Sequence, residues 1–218
     1  LVLRLPEPEE ILREVTWLKG LSEDNITRII ELSDKRTYQP GDMIMEQGAR
    51  GDGMILVTQG SVKISIKGTV VDILGRGSVI GEMAVLAGVP RTADIIADTT
   101  VTALWMGSTE MNEAMADSPA LAKGVWETAG RRFAESLLKS QEPYLDLSQW
   151  EFRRWLSKGE VVSPAPGDSL ELFGKVAILV SGTATVPGAT EPVKAITRLN
   201  VPKASFPESA RVWIHSES

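Results

Sequence analysis

Residues Gly81 to Asp94 read G-E-M-A-V-L-A-G-V-P-R-T-A-D and interrupt a region that is otherwise strand-like. Val70 to Leu74 lies before them; Ile95 to Ala97 and Val101 to Met106 follow. Met83, Ala84, Val85 and Leu86 suit one helical turn. A fold that accepts these residues must hold that turn between two strands, and such a break in the local pattern marks a site.

The residue types define what the turn could hold. A helical turn leaves backbone N–H groups free at its start, which favours an anion. Gly81 lets the backbone approach a ligand closely. Pro90 stops the turn and sets the chain before Arg91. Arg91 presents a rigid fork of donors matched to phosphate oxygens. Glu82 only accepts hydrogen bonds, so it suits a sugar hydroxyl. The set fits a ligand with a phosphate at one end and a ribose hydroxyl at the other. The competing reading is a surface turn carrying an Arg–Glu pair.

Composition removes other chemistries. The formal net charge is −6, which argues against a nucleic-acid surface. The sequence has no Cys and one His, His215, so neither a His-based triad nor a His-rich metal site can be assembled. No catalytic residue is assigned and no metal is expected; an enzyme on a cupin-like barrel would need several His ligands. No run of about eighteen apolar residues exists to span a membrane. The chain, from Leu1 to a Ser-Glu-Ser end, reads as a soluble piece of a longer protein.

The hydrophobic period changes along the chain. Ile11, Leu12, Val15 and Leu18, then Ile26, Ile29, Ile30 and Leu32, have helical spacing, with Ser22 placed to cap the second run. Trp17 is expected in a core. From Tyr38 the period is two. Short strands at Met43–Met45, Met54–Val57, Val62–Ile66 and Val70–Leu74 are separated by Gly-containing turns, which predicts a closed roll. The polar loop Gly48 to Gly53 lacks the Gly-Lys-Ser/Thr ending of a phosphate loop and reads as a structural turn. Thr109 is placed to cap a helix through Met115. A second helix, after Ser118-Pro119, carries Leu121, Val125, Trp126, Ala129, Phe133, Leu137 and Leu138 on one face. Leu147 to Leu156 is helical, with Arg153 and Arg154 on a solvated side.

The stretch Gly81-Glu82-Met83-Ala84 followed by Pro90-Arg91-Thr92-Ala93 resembles the phosphate-binding cassette of cyclic nucleotide-binding domains. That resemblance implies a mainly β fold with flanking helices: a cyclic nucleotide-binding, jelly-roll-like β-roll. It implies cAMP or cGMP as ligand, with Glu82 on the ribose 2′-hydroxyl and Arg91 on the cyclic phosphate. Gly81 and the amides of Met83, Ala84 and Ala93 would complete the site. Thr92 stands where a hydroxyl can reach the guanine amino group. Phe133, Leu137 and Leu138 would lie in helices that cover the purine, unless they form a plain packing face.

A second copy of the strand-rich unit follows. Tyr38-Gln39-Pro40-Gly41-Asp42 is matched by Pro164-Ala165-Pro166-Gly167-Asp168. Ile55-Leu56-Val57 is matched by Ile178-Leu179-Val180, and Leu104-Trp105-Met106 by Val212-Trp213-Ile214. Gly60 to Trp105 spans 105 − 60 = 45 positions and Gly182 to Trp213 spans 213 − 182 = 31. The difference of 14 equals the length of Gly81–Asp94, so the second roll is expected to be degenerate and to lack the cassette. Pro207-Glu208-Ser209-Ala210 looks superficially similar to Pro90–Ala93, but its Glu would repel a phosphate.

The expected organisation is an N-terminal helical segment (1–36), the cyclic nucleotide-binding roll (37–108), hinge and lid helices (109–142), a connecting helix (143–158) and the degenerate roll (159–218). The helix around Trp126-Glu127 and the roll after Gly159 are similar to the cytoplasmic region of sodium/proton exchangers of the plant salt-tolerance type; sperm-type exchangers also carry such a roll. The resemblances imply a cytoplasmic regulatory domain attached to a membrane transporter or channel, with oligomers formed through the parent protein and no nucleic-acid partner. The rival is a scaffold that keeps the fold without a ligand and gives Arg91 an intrachain partner.

Overall fold

The computed structural model describes residues 8–15 and 22–216. Trp17 and Leu18 lie outside the described residues. The chain divides into two compact units at Val125/Trp126.

The first unit opens with α1 (Pro8–Glu14) and α2 (Glu23–Glu31). Ser22 caps α2, its hydroxyl accepting from the Asn25 amide at 3.3 Å. Eight strands follow: β1 (Asp34–Tyr38), β2 (Met43–Met45), β3 (Gly53–Gln59), β4 (Val62–Ile66), β5 (Thr69–Leu74), β6 (Val79–Ile80), β7 (Asp94–Ala97) and β8 (Val101–Gly107). They form two four-stranded sheets, in the orders β1-β8-β3-β6 and β2-β7-β4-β5.

The alternating apolar residues of both sheets meet in one core. Ile55, Val57, Ile80, Val101 and Ala103 come from one sheet; Met45, Val62, Ile95 and Ala97 come from the other. Burial of each large aliphatic side chain contributes about 1.5–3 kcal/mol, and this holds the roll closed. α3 (Glu82–Ala87) interrupts the strands between β6 and β7, and α4 (Ser108–Asp117) follows β8. The α4 N-cap is Gly107 and has no side-chain cap, so Thr109 lies inside the helix rather than ahead of it.

α5 (Pro119–Leu138) contains the division between the units. Residues 126–142, read from the sequence with the first roll, therefore count with the second unit. Phe133 and Leu138 are fully buried.

The second unit repeats the roll. After α6 (Gln149–Leu156) come β9 (Glu160–Val162), β10 (Ser169–Glu171), β11 (Lys175–Ser181), β12 (Thr183–Ala184), β13 (Val193–Lys194), β14 (Thr197–Arg198), β15 (Lys203–Ser205) and β16 (Arg211–Ser216). The sheet order β9-β16-β11-β14 reproduces β1-β8-β3-β6. The register repeats too: Ile55 faces Trp105 on β8, and Ile178 faces Trp213 on β16. The Asp42 carboxylate accepts from the Gln39 amide at 2.7 Å, and Asp168 accepts from Ala165 at 2.8 Å. The opposing facing sheet is reduced to the pairs β10-β15 and β12-β13, linked by a bridge from Thr185 to Ser205.

The missing positions are not one block. Residues 81–93 separate β6 from β7, whereas only residues 199–202 separate β14 from β15, so 13 − 4 = 9 positions are lost there. Between Gly60 and Ile80 lie 20 steps, against 16 from Gly182 to Arg198, which removes four more. The fourteenth is lost between the start of β15 and Trp213. A spacing count gives a total and cannot locate its parts. The cassette is still absent, since four residues cannot hold α3 and its exit. Pro207-Glu208-Ser209-Ala210 lies between β15 and β16, away from the cassette position.

One glycine per roll holds the same corner. Gly60 has φ +83° and Gly182 has φ +80°; a Cβ would stand 2.2 Å from the Thr100 carbonyl oxygen and 2.7 Å from that of Ser209. Left-handed backbone costs an L-residue about 1–2 kcal/mol, before any clash. Gly60→Ala and Gly182→Ala should therefore each lower unfolding free energy by more than about 1 kcal/mol in denaturant titrations. An unchanged midpoint for Gly182→Ala would contradict the equivalence of the two corners.

Candidate functional site

α3 is positioned by what flanks it. Gly81 is its N-cap, with φ 93° and no side-chain cap bond, and Gly88 closes it with φ 65°. The left-handed Gly81 turns the chain out of β6. A Cβ there would lie 2.6 Å from Arg91 Nη1 and 2.8 Å from Met45 Sδ and Cε. The absent side chain is thus the space that Arg91 occupies. Within α3, Glu82, Ala84 and Leu86 are buried.

Arg91 is the centre of the arrangement. Its side chain is only 4% exposed. Nη1 donates to the Gly81 carbonyl oxygen at 2.9 Å. Nη2 donates to the Gly53 carbonyl oxygen at 2.6 Å and to the Asp52 carboxylate at 2.9 Å. A guanidinium has five N–H donors, and these three bonds leave two: Nε–H and one on Nη1. Asp52 is 72% exposed, so its half of the ion pair is in contact with water. The two carbonyl bonds fix the fork without neutralising it.

The loop 47–53 does more than turn the chain. Its Gly48 amide donates to the Arg91 carbonyl at 2.9 Å, and the Arg91 amide donates to the Ala49 carbonyl at 2.8 Å. The Gln47 amide donates to the Asp94 carboxylate at 2.7 Å. Gly51 lies against α3, where a Cβ would come within 2.6 Å of Ala84. The sequence reading makes this loop a structural turn; the structure adds Asp52 and Gly53 as direct partners of Arg91. A carboxylate inside a Gly-rich loop was the available signal, but only the fold brings it 39 residues along the chain to Arg91.

The other expected residues sit in the same cassette. Glu82, Ala84 and Ala93 are buried, Met83 is half-buried and Thr92 is exposed. No group of three or more His, Cys, Asp or Glu placed to hold a metal occurs among the described residues.

Residues 35–118 match the cyclic nucleotide-binding domain family. A cGMP-dependent protein kinase of Drosophila melanogaster is 34% identical over 104 residues, 45% of this chain and 11% of the kinase. A cyclic nucleotide-gated potassium channel of Mesorhizobium japonicum is 32% identical over 123 residues, 56% of this chain and 34% of the channel. The chain therefore spans a small part of the relatives it matches. The regulatory domain of Toxoplasma gondii protein kinase A, solved with cAMP, has a TM-score of 0.51 at 17% identity and covers 96% of this chain and 88% of its own. The regulatory subunit of a cAMP-independent protein kinase A from Trypanosoma brucei has a TM-score of 0.51 at 14% identity, covering 96% and 83%. At those identities the likeness is one of fold, and it extends over both rolls. The resemblance to sodium/proton exchangers finds no counterpart among these relatives.

The first roll depends on an unsubstituted Gly81. Gly81→Ala should push Arg91 off the Gly81 carbonyl and lower the thermal midpoint by several degrees, consistent with a left-handed L-residue and a buried clash. An unchanged midpoint would contradict this packing.

Proposed function

We propose that the first roll binds a cyclic nucleotide and that the chain is the regulatory sensor of a larger protein. The observation that carries the reading is the Arg91 fork. It is buried, bonded to two backbone carbonyls, and has two N–H donors left over from its three hydrogen bonds, which the reading assigns to a phosphate. Glu82 is assigned the ribose 2′-hydroxyl, with the amides of Met83, Ala84 and Ala93 and the close backbone of Gly81 around the phosphate. Thr92 is exposed at the end of the cassette, where its hydroxyl is available to a guanine amino group; cAMP and cGMP are the two candidate ligands. The second roll, with four residues in place of the cassette, is assigned a structural or partner-docking role.

Regulation follows from linkage: a ligand shifts an equilibrium only by its differential affinity for two conformations, typically about 1–3 kcal/mol. The effector proposed from the resemblances is an attached membrane transporter or channel, of the sodium/proton exchanger kind, with the sensor on the cytosolic side. No catalytic role is proposed for the chain itself.

One observation favours the scaffold reading: Arg91 already has an intrachain carboxylate partner in Asp52. In the sensor reading, Asp52 is the counterion that a phosphate replaces. Calorimetric titration with cAMP and cGMP separates the two. The expected result is saturable binding that Arg91→Ala weakens at least tenfold, about 1.4 kcal/mol. Absence of heat and of thermal stabilisation with either nucleotide at millimolar concentration would leave the scaffold.

A further inference from the structure

The charges around the cassette do not favour an anion. Glu46, Asp52, Glu82 and Asp94 all lie on the cassette or on the loop bonded to it, against one buried cation, Arg91. The whole chain adds a net charge of −6. A cyclic phosphate approaching Arg91 thus meets a negative local field, in addition to the carboxylate it must displace.

Arg50 stands where it can offset part of that field. It is exposed and makes no ion pair or hydrogen bond among the described residues. Its neighbours fix it beside the site: the Ala49 carbonyl accepts from the Arg91 amide, and Gly51 is packed on Ala84 of α3. Lys67 adds a second exposed cation to the same loop, since its amide donates to Gln47 Oε1 at 2.9 Å. Neither side chain contributes to the core, and neither has another charge to serve.

We propose that Arg50, assisted by Lys67, is a positioning residue for ligand capture: it steers the anionic nucleotide to Arg91 and sets the association rate. This rests on the nucleotide-binding reading of the first roll. A unit charge about 10 Å away in water changes the local concentration of a monovalent anion about twofold, so reversing the charge changes it about fourfold. The effect belongs to the approach, since a charge at the rim of a site acts chiefly on the association rate and its salt dependence.

The test is stopped-flow binding of mant-labelled cAMP and cGMP to the whole chain, at about 10 mM and about 500 mM ionic strength. Arg50→Glu should slow association about three- to fivefold at low salt, with dissociation changed less than about twofold, and the difference should vanish at high salt. Arg50→Lys should keep the parent rate. Lys194→Glu, an exposed site in the second unit, makes the same change in net charge (−6 − 2 = −8) and should leave association near the parent value. The inference is overturned if Arg50→Glu leaves association unchanged, acts through dissociation, keeps its effect at high salt, or is matched by Lys194→Glu. A parent that binds neither nucleotide defeats the sensor reading, and this inference with it.

Discussion

A buried guanidinium needs partners, and in this protein the partners of Arg91 are what join the cassette to the roll. Its side chain is nearly inaccessible, so leaving it unpaired would cost several kcal/mol. The fold supplies two backbone carbonyls, from Gly81 and Gly53, and one exposed carboxylate, Asp52. They come from two segments: Asp52 and the adjacent Gly53 from the loop 47–53, and Gly81 from the start of α3. Gly81 must lack a side chain to leave room, Gly53 must start β3 at the right height, and the loop 47–53 must lie against α3. Removing any one of these conditions costs the buried charge a partner. Position, burial and charge of this one side chain therefore constrain two stretches of sequence at once.

The arrangement also separates anchoring from ligand chemistry. Carbonyl oxygens hold a guanidinium in place but leave its charge intact, whereas a carboxylate neutralises it. The carbonyls here are internal and the carboxylate is in water. The carbonyl contacts thus fix geometry, and the one contact that would compete with a phosphate is the charged one, whose carboxylate is in water. A second roll with the same strand order shows the alternative. With only residues 199–202 between β14 and β15, there is no α3 to pack and no arginine to bury, and its interior is filled by Phe206, Leu199 and their neighbours.

Much of this was legible beforehand, for identifiable reasons. The period-two strands, the Pro-Gly-Asp turns and the Gly60 and Gly182 corners are local features, so their residues report them directly. Ser22 at the head of α2 is likewise a local hydrogen bond that sequence can show. Thr109 failed as a cap because helix α4 starts one turn position earlier, at Ser108, directly out of β8. A run of apolar residues at helical spacing does not say which unit the helix packs with, and α5 proved to contain the division at Val125/Trp126. The count of fourteen missing positions was correct as a sum but silent about distribution.

The sequence by itself determined the repeat, the strand-rich class and the residue types of the cassette, because turn chemistry and hydrophobic period act over a few residues. It also determined that Arg91 and Glu82 would flank one helical turn. Only the tertiary structure decided that Arg91 is buried, that Asp52 and Gly53 are its partners, and that the loop 47–53 is part of the site. Those are contacts across 38 and 39 residues, made when two sheets close on a shared core. Nothing in the local pattern of either segment encodes the other, since burial is a property of the closed roll and not of any stretch within it.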